Sequence, residues 1–307
     1  MSKKLKLEKW HWLKKCPVCS SENIEFFQKG NLQPEALDEK SIKITASGYG
    51  RIWDLYCCRR CSHIFANPAP FPETINKLYS LVEDPVYEEE AGGRAKNFIP
   101  ILNRLEILCP EKGKLLDVGA ATGILLDLAR DRNWKVEGVE PSEWAAEVAL
   151  RKHRIKLIKS PFEETALKPE SFDALTMVDF IEHILDPLAA CRKASLLLKP
   201  EAVICLVTPD IQSLAARLAG KRWWHYRPAH LAFFTTKSLF FLLRRCGFQP
   251  LIVHRYSWTF SLYYLLSRFS FLQPLLQKGK LASFCRKYPV KLVLGDSLEV
   301  YARKEKR

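Results

Sequence analysis

Cys16-Pro17-Val18-Cys19 and Cys58-Arg59-Arg60-Cys61 repeat one spacing. Two residues between cysteines let both thiolates turn toward one point, and two such knuckles make the tetrahedral, all-thiolate site that suits zinc. Four thiolates leave no open coordination position, so the expected metal is structural. The knuckles stand further apart than in a usual zinc ribbon, so a strand pair or loop from Gln28 to Trp53 must be looped out. Cys57 would replace Cys58 only by changing the spacing and reads as a bystander, while His63 is either an alternate ligand or a packing residue. Cys109, Cys191, Cys205, Cys246 and Cys285 are scattered singly among apolar residues, which fits buried free thiols better than a secreted disulfide scaffold.

A second group of residues suits a nucleotide. Asp117-Val118-Gly119-Ala120-Ala121-Thr122-Gly123 ends an apolar run and feeds directly into an apolar helix, Ile124 to Ala129. Gly119 and Gly123 permit close backbone approach, and the helix N-terminus offers free N–H groups. The spacing is not the G-x-G-x-x-G of pyrophosphate binders, which sets hydride transfer aside. Glu140 ends the next run about 20 residues on, where a carboxylate can accept both ribose hydroxyls of an adenosine. Glu140-Pro141-Ser142 then opens another helix, with Ser142 placed as its cap.

These motifs need a scaffold that brings strand ends together. Lys114–Val118, Trp134–Val139, Ile155–Ile158, Phe172–Val178 and Ala202–Val207 read as strands separated by amphipathic helical stretches, the pattern of a parallel, doubly wound sheet. Ligands bind beyond the carboxyl ends of such strands. With 307 residues, 48% of them hydrophobic, the chain can bury one large α/β core with a smaller module beside it. The expected division is a cysteine module over 1–75, a core over 76–255, and a lid with a closing strand over 256–307. The formal charge of +14 suits an anionic partner or solubility alone, and its excess gathers at the two ends (Lys3, Lys4, Lys6, Lys9, Lys14 and Lys15; Arg303, Lys304, Lys306 and Arg307). The first fifteen residues lack an apolar signal core, which points to the cytoplasm. The most apolar segment, Tyr256 to Leu276, is broken by Arg268 and Pro274 and should not span a membrane. It reads as a packed helical lid, with subunit pairing and contact with a membrane surface as other uses.

Taken together, Leu115 to Gly123 and Val139 to Ser142 resemble the first two motifs of class I S-adenosylmethionine-dependent methyltransferases. Phe172-Asp173-Ala174 and Phe180 to Pro187 resemble the segment after the fourth strand in relatives of the ubiquinone-biosynthesis O-methyltransferases. Leu198-Lys199-Pro200, Val207 to Asp210, His230-Leu231 to Phe248, and Leu294 to Lys304 resemble the later turn, helix and closing strand, though Glu201 and Ala202 stand where that group has Gly-Gly. The cysteine knuckles ending in Phe65-Ala66-Asn67-Pro68 resemble the zinc-binding segment ahead of some bacterial members. Ala121 departs from the glycine usual at its position.

The resemblance implies a Rossmann-like sheet of seven strands with the last antiparallel, preceded by a small zinc-ribbon-like module. It implies S-adenosylmethionine as cofactor, with Gly119, Ala120 and Gly123 lining its methionine and ribose and Glu140, Pro141 and Ser142 beside the ribose. Phe162 would border the adenine, Asp179 the methyl-transfer pocket, and Asp117 would orient the turn. A hydroxyl acceptor needs a base, and His183 and His230 are the candidates, although each also suits a hydrogen-bonded structural role. Lys221-Arg222-Trp223-Trp224-His225-Tyr226-Arg227 mixes cations with aromatic faces, fitting an anionic or sugar-bearing substrate slightly better than a surface packed on the cysteine module. O-methylation of a small molecule, or of a glycan or lipid precursor, is the expected reaction. An RNA methyltransferase stays open, although Val178-Asp179-Phe180-Ile181 lacks the Pro-Pro-aromatic run of base-amino methylases. So does a scaffold that binds without turnover.

Overall fold

The computed structural model describes residues 10–32, 37–46, 48–269, 271–272, 276 and 279–306. Lys3, Lys4, Lys6, Lys9, Pro274 and Arg307 lie outside the described residues. The N-terminal part holds β1 (Trp10–His11), β2 (Ile24–Gln28), β3 (Leu55–Cys58), β4 (Ile64–Ala66) and β5 (Ala69–Pro70). Helices α1 (Pro72–Ser80), α2 (Pro85–Glu89) and α3 (Ala91–Leu108) follow. The core then alternates β6 (Lys114–Val118), α4 (Ile124–Asp131), β7 (Lys135–Val139), α5 (Glu143–His153), β8 (Phe172–Val178), α6 (Pro187–Leu197) and β9 (Leu198–Pro209). After it come α7 (Leu214–Ala219), β10 (Ala232–Phe233), α8 (Thr236–Arg245), β11 (Phe248–Arg255), β12 (Trp258–Ser261), α9 (Leu262–Leu266), α10 (Lys280–Lys287), β13 (Pro289–Leu292) and β14 (Ser297–Lys304).

Among the described residues the main sheet has six strands in the order β11-β14-β9-β8-β6-β7, with β14 antiparallel to both neighbours and the other core pairs parallel. In place of the expected seventh strand, Ile158 makes a single parallel bridge to Val139. The reason is local: Arg154 takes a left-handed conformation as the cap of α5, and Ile155 N–H is used on the Ala149 carbonyl, so no strand can begin at 155. Ile158 then donates to Gly138 O and accepts from Glu140 N–H.

Successive residues on a strand face opposite sides, and this divides the core in two. Leu115, Val203 and Cys205 pack with Phe98, Ile101 and Leu105 of α3 and with α4. Leu116, Ile204 and Leu206 pack on the other side with α6 and α8. The helix ends are capped as their sequences allow, by Ser142 on α5, Asp186 on α6 and a Thr235/Ser238 capping box on α8, each cap contributing about 1 kcal/mol. Within the basic C-terminal run, Lys304 is buried in β14, its ammonium donating to Leu198 O at 2.7 Å, while Lys306 is exposed.

The cysteine module shares the core's structure. Its sheet runs β10-β4-β3-β2, so the strand at one edge comes from residues 232–233 of the core region. The four knuckle cysteines belong to the same apolar cluster as α6 and α8, and Arg245 of α8 donates to Val18 O at 2.9 Å. Among the described residues, no helix is long and apolar enough to cross a membrane.

Candidate active site

A cavity of about 340 Å³ opens beyond the carboxyl ends of β6, β7 and β8, within the size range of small-molecule and cofactor sites. Its floor is the turn after β6, where Gly119, Ala121 and Gly123 all have positive φ, at 76°, 46° and 78°. Gly119 is held close to its neighbours, since a Cβ there would stand 3.0 Å from Phe180 Cδ2. Gly119 and Ala120 N–H groups donate to Val139 O at 2.9 and 3.0 Å, drawing the turn onto the end of β7.

Glu140 completes that clamp. Its Oε2 accepts from Ala121 N–H and its Oε1 from Ser142 N–H, both at 2.9 Å, while the carboxylate borders the cavity. Burial pushes Glu140 up to about 7, opposed by those two amides. Two acceptor sites on the carboxylate stay uncommitted, the capacity that a pair of hydroxyls requires. Pro141 and Ser142 also line the cavity, and Ser142 Oγ caps α5 while donating to Val82 O at 2.8 Å.

Asp117 lines the floor and accepts from Thr176 Oγ1 at 2.6 Å; burial raises it to about 7. Phe162 is fully buried at one end, edge-on to Phe180, and Lys193 pins its segment through the carbonyls of Phe162 and Thr165. Asp179 follows β8 with φ 51° and borders the cavity, and burial pushes it up to about 7 against the attraction of Arg94 and Arg227. His183 faces the same space; its Nδ1 lies 2.7 Å from Tyr79 Oη and 3.0 Å from Ala229 O. A carbonyl only accepts, so Nδ1 carries the proton and Nε2 the lone pair. Burial lowers His183 to about 4, which keeps the ring neutral.

Two residues expected at the site lie elsewhere. Gly123 does not border the cavity; a Cβ on it would stand 3.1 Å from Ala149 Cβ, so it permits close packing of α4 on α5. His230 sits behind His183, ring centroids 4.7 Å apart and edge-on, buried and outside the cavity lining. Nor does the Lys221–Arg227 stretch reach the cavity. Trp223 is fully buried among Ile52, Leu55 and Phe233, and Arg227 donates to Lys43 O and Ala46 O at 2.8 and 2.9 Å, bracing the N-terminal wall. Trp223, Tyr226 and Arg227 thus serve packing, while Lys221 and Arg222 are exposed.

The structure adds residues that no motif marked. Arg94 is buried under a Tyr87 ring 3.6 Å away, lines the cavity, and its Nε has no hydrogen-bond partner among the described residues. Thr122 Oγ1 is likewise buried, unpartnered and at the cavity. Arg94 was legible as a cation on the same stripe of α3 as Phe98, Ile101, Leu102 and Leu105. Glu182 is buried beside His183, its Oε2 accepting from Thr208 Oγ1 at 3.0 Å, and burial raises it well above the carboxylate range. Ile42 and Ile44 from the N-terminal region and Tyr256 and Trp258 from the lid complete the enclosure.

A sheet wound in this order, with a cavity and a buried carboxylate beyond the carboxyl ends of its parallel strands, is that of the class I S-adenosylmethionine-dependent methyltransferases. The chain belongs to the family described as "Methyltransferase domain", whose model matches residues 91–253. Among curated proteins it is similar to the ubiquinone biosynthesis O-methyltransferase of Cereibacter sphaeroides, 29% identical over 170 residues that cover 48% of this chain and 67% of that protein. The Xanthomonas campestris pv. campestris protein of the same name is 31% identical over 141 residues, covering 39% of this chain and 59% of that one. For the Saccharophagus degradans protein of that name the match is 35% over 94 residues, only 39% of its length. The fold is shared with the 1,6-didemethyltoxoflavin-N1-methyltransferase of Burkholderia thailandensis, solved with 1,6-didemethyltoxoflavin and S-adenosylhomocysteine: 17% identity, TM-score 0.51, covering 81% of this chain and 98% of that one.

The raised carboxylates give a pH test. A carboxyl held above its unfolded value binds its proton more tightly when folded, so its ionisation costs stability progressively from about pH 4 to about pH 7. Asp179→Asn removes that cost: its melting temperature should exceed that of the parent protein near about pH 8, by less near about pH 5, and converge with it only below about pH 4. A difference that stays constant between those values would show that Asp179 does not titrate in this way.

Proposed function

We propose that the chain transfers the methyl group of S-adenosylmethionine to a hydroxyl of a predominantly apolar small molecule. The observation that carries this reading is the Glu140 clamp: a carboxylate fixed by Ala121 and Ser142 amides at the rim of a cavity whose surface is mainly apolar. When bound, the cofactor supplies an electrophilic methyl group on sulfonium. Glu140 would accept the ribose hydroxyls, Phe162 would pack on the adenine, and the unpartnered Arg94 guanidinium suits the amino-acid carboxylate. Asp179, which burial keeps partly protonated near neutrality, would lie on the side of the transferred methyl. His183, its proton fixed on Nδ1, would take the acceptor's proton at Nε2, with Tyr79 and the Ala229 carbonyl holding the ring. Burial under the lid excludes water and leaves orientation to supply much of the rate.

The acceptor reading is narrowed by charge. The cavity is lined by Glu73, Asp84, Asp117, Glu140, Glu163, Glu164, Asp179 and Asp186 and, among the described residues, by one guanidinium, that of Arg94, and a neutral His183. This favours an uncharged acceptor over the anionic or RNA substrate that the overall charge of +14 suggests.

The four cysteines suit one zinc ion. Their Sγ atoms all lie within 4.8 Å of one another, with Cys16 to Cys61 at 3.6 Å and Cys19 to Cys58 at 3.3 Å, spacings compatible with a centre about 2.3 Å from each sulfur. Val18 N–H donates to Cys16 Sγ, and the Cys61 thiol draws Cys16 down to about 6. Zinc would hold the two knuckles together and take no part in the transfer. His63, neutral and buried with its pKa lowered to about 3 by desolvation, stacks on Phe65 in a packing role.

Titration calorimetry with S-adenosylmethionine tests the donor. Saturable binding is expected, weakened about 10- to 100-fold in Glu140→Gln through loss of one charged hydrogen-bond acceptor; no heat and no thermal stabilisation would favour a scaffold. His183→Ala should keep that affinity while kcat falls about 10²- to 10⁴-fold, and unchanged turnover would remove the base role. Metal analysis should find one zinc per chain, and chelation should lower the melting temperature; a metal-free protein with four reactive thiols and the same melting temperature would sink the zinc assignment.

A further inference from the structure

The lid has a chemistry of its own. From Tyr256 to Gly295 there is no Asp or Glu, whereas Arg268, Lys278, Lys280, Arg286, Lys287 and Lys291 all carry positive charge. Its described part is fixed to the core. β12 pairs with β13 from Trp258↔Leu292 to Ser261↔Pro289, Thr259 N–H donates to Asn97 Oδ1, and Ser261 donates twice to Glu90. Arg286 is tied to Glu89 at 2.6 Å and stands over the Tyr263 ring.

Helix α10 sits on this base with Ala282 and Cys285 turned inward. Leu281, Phe284 and Tyr288 are 56%, 59% and 53% exposed. At 3.6 residues per turn these three fall within about 60° of one another, beside the buried strip, and Lys280 and Lys287 fall a further about 40–60° round beyond Phe284, opposite the buried residues. Phe284 and Tyr288 stack with centroids 5.8 Å apart, and Phe269 and Phe271 form a second exposed aromatic pair. Lys280, Lys287 and Lys291 have no ion pair among the described residues. Lys291 also borders a separate cleft of about 330 Å³ together with Lys96, while Arg104 and Arg255 in the same cleft are paired with Glu299 and Asp210.

Exposed aromatic rings beside unpaired lysines, on a segment free of carboxylates, match a surface that is apolar below and anionic above. We propose that this lid is a docking platform for an anionic lipid bilayer. Leu281, Phe284 and Tyr288 enter the boundary between headgroups and acyl chains, and Lys280, Lys287 and Lys291 lie at phosphate level. Tyr256 and Trp258 of the same lid line the cavity, so docking would bring the methyl-transfer site to an amphiphilic acceptor held in the bilayer. That last consequence rests on the proposed function; the docking does not.

Flotation of the full chain with vesicles tests it, comparing phosphatidylcholine alone with phosphatidylcholine containing phosphatidylglycerol. The protein should float with the anionic vesicles, much less with the neutral ones, and less at high salt. Leu281→Asp/Phe284→Asp and Lys280→Glu/Lys287→Glu should each weaken anionic binding at least about tenfold, with melting temperature and S-adenosylmethionine affinity in solution unchanged. Flotation without S-adenosylmethionine binding would uphold the platform and defeat the methyl-donor reading. Absence of flotation, or equal flotation by the variants, would overturn the platform. So would a dimer abolished by Leu281→Asp/Phe284→Asp in a protein that ignores vesicles, which would give the strip to a second copy of the chain.

Discussion

Burying a carboxylate away from any cation is costly unless hydrogen-bond donors replace the lost water. Glu140 meets this demand with two backbone amides, one from the turn after β6 and one from the start of α5. The contact acts in both directions. The amides stabilise the charge, and the charge fixes Ala121 in a left-handed conformation that costs a non-glycine residue about 1 kcal/mol. A glycine here would adopt that conformation without strain. The alanine methyl borders the cleft and does not close it.

The second constraint is that the cleft is enclosed by parts of the chain far apart in sequence. Arg227 holds the 43–46 segment, Asp84 accepts from Thr45 N–H, and Arg268 donates to Thr45 O, so one short N-terminal stretch is gripped from the core, from α2 and from the lid. The cysteine module is therefore part of the wall of the site. A boundary at residue 75 describes the order of the chain better than its mechanics, because β4 pairs with β10 across that boundary.

Much of this was legible in the residues. The glycine turn, the acid ending β7 and the knuckle spacing carry their chemistry in short windows, and the alternation of apolar runs gave the parallel core. What escaped had no local signature. The strand expected at 155–158 has the right composition, but the cap of α5 takes the amide it needs. Aromatic and basic residues at 221–227 look the same in sequence whether they meet a substrate or a core, and only Trp223's complete burial decides it. Arg94, Tyr79 and Thr122 gain their significance from neighbours brought in by the fold.

One feature of the sheet bears on how the molecule is made. β14 lies between β9 and β11, so two inner strand edges wait for residues 297–304 before either is paired. While the chain is still emerging from the ribosome, β9 and β11 present open edges able to recruit other strands. Nascent copies are thus most exposed to misassembly in the interval before that segment leaves the exit tunnel, which makes this a protein whose biogenesis would gain from chaperone cover.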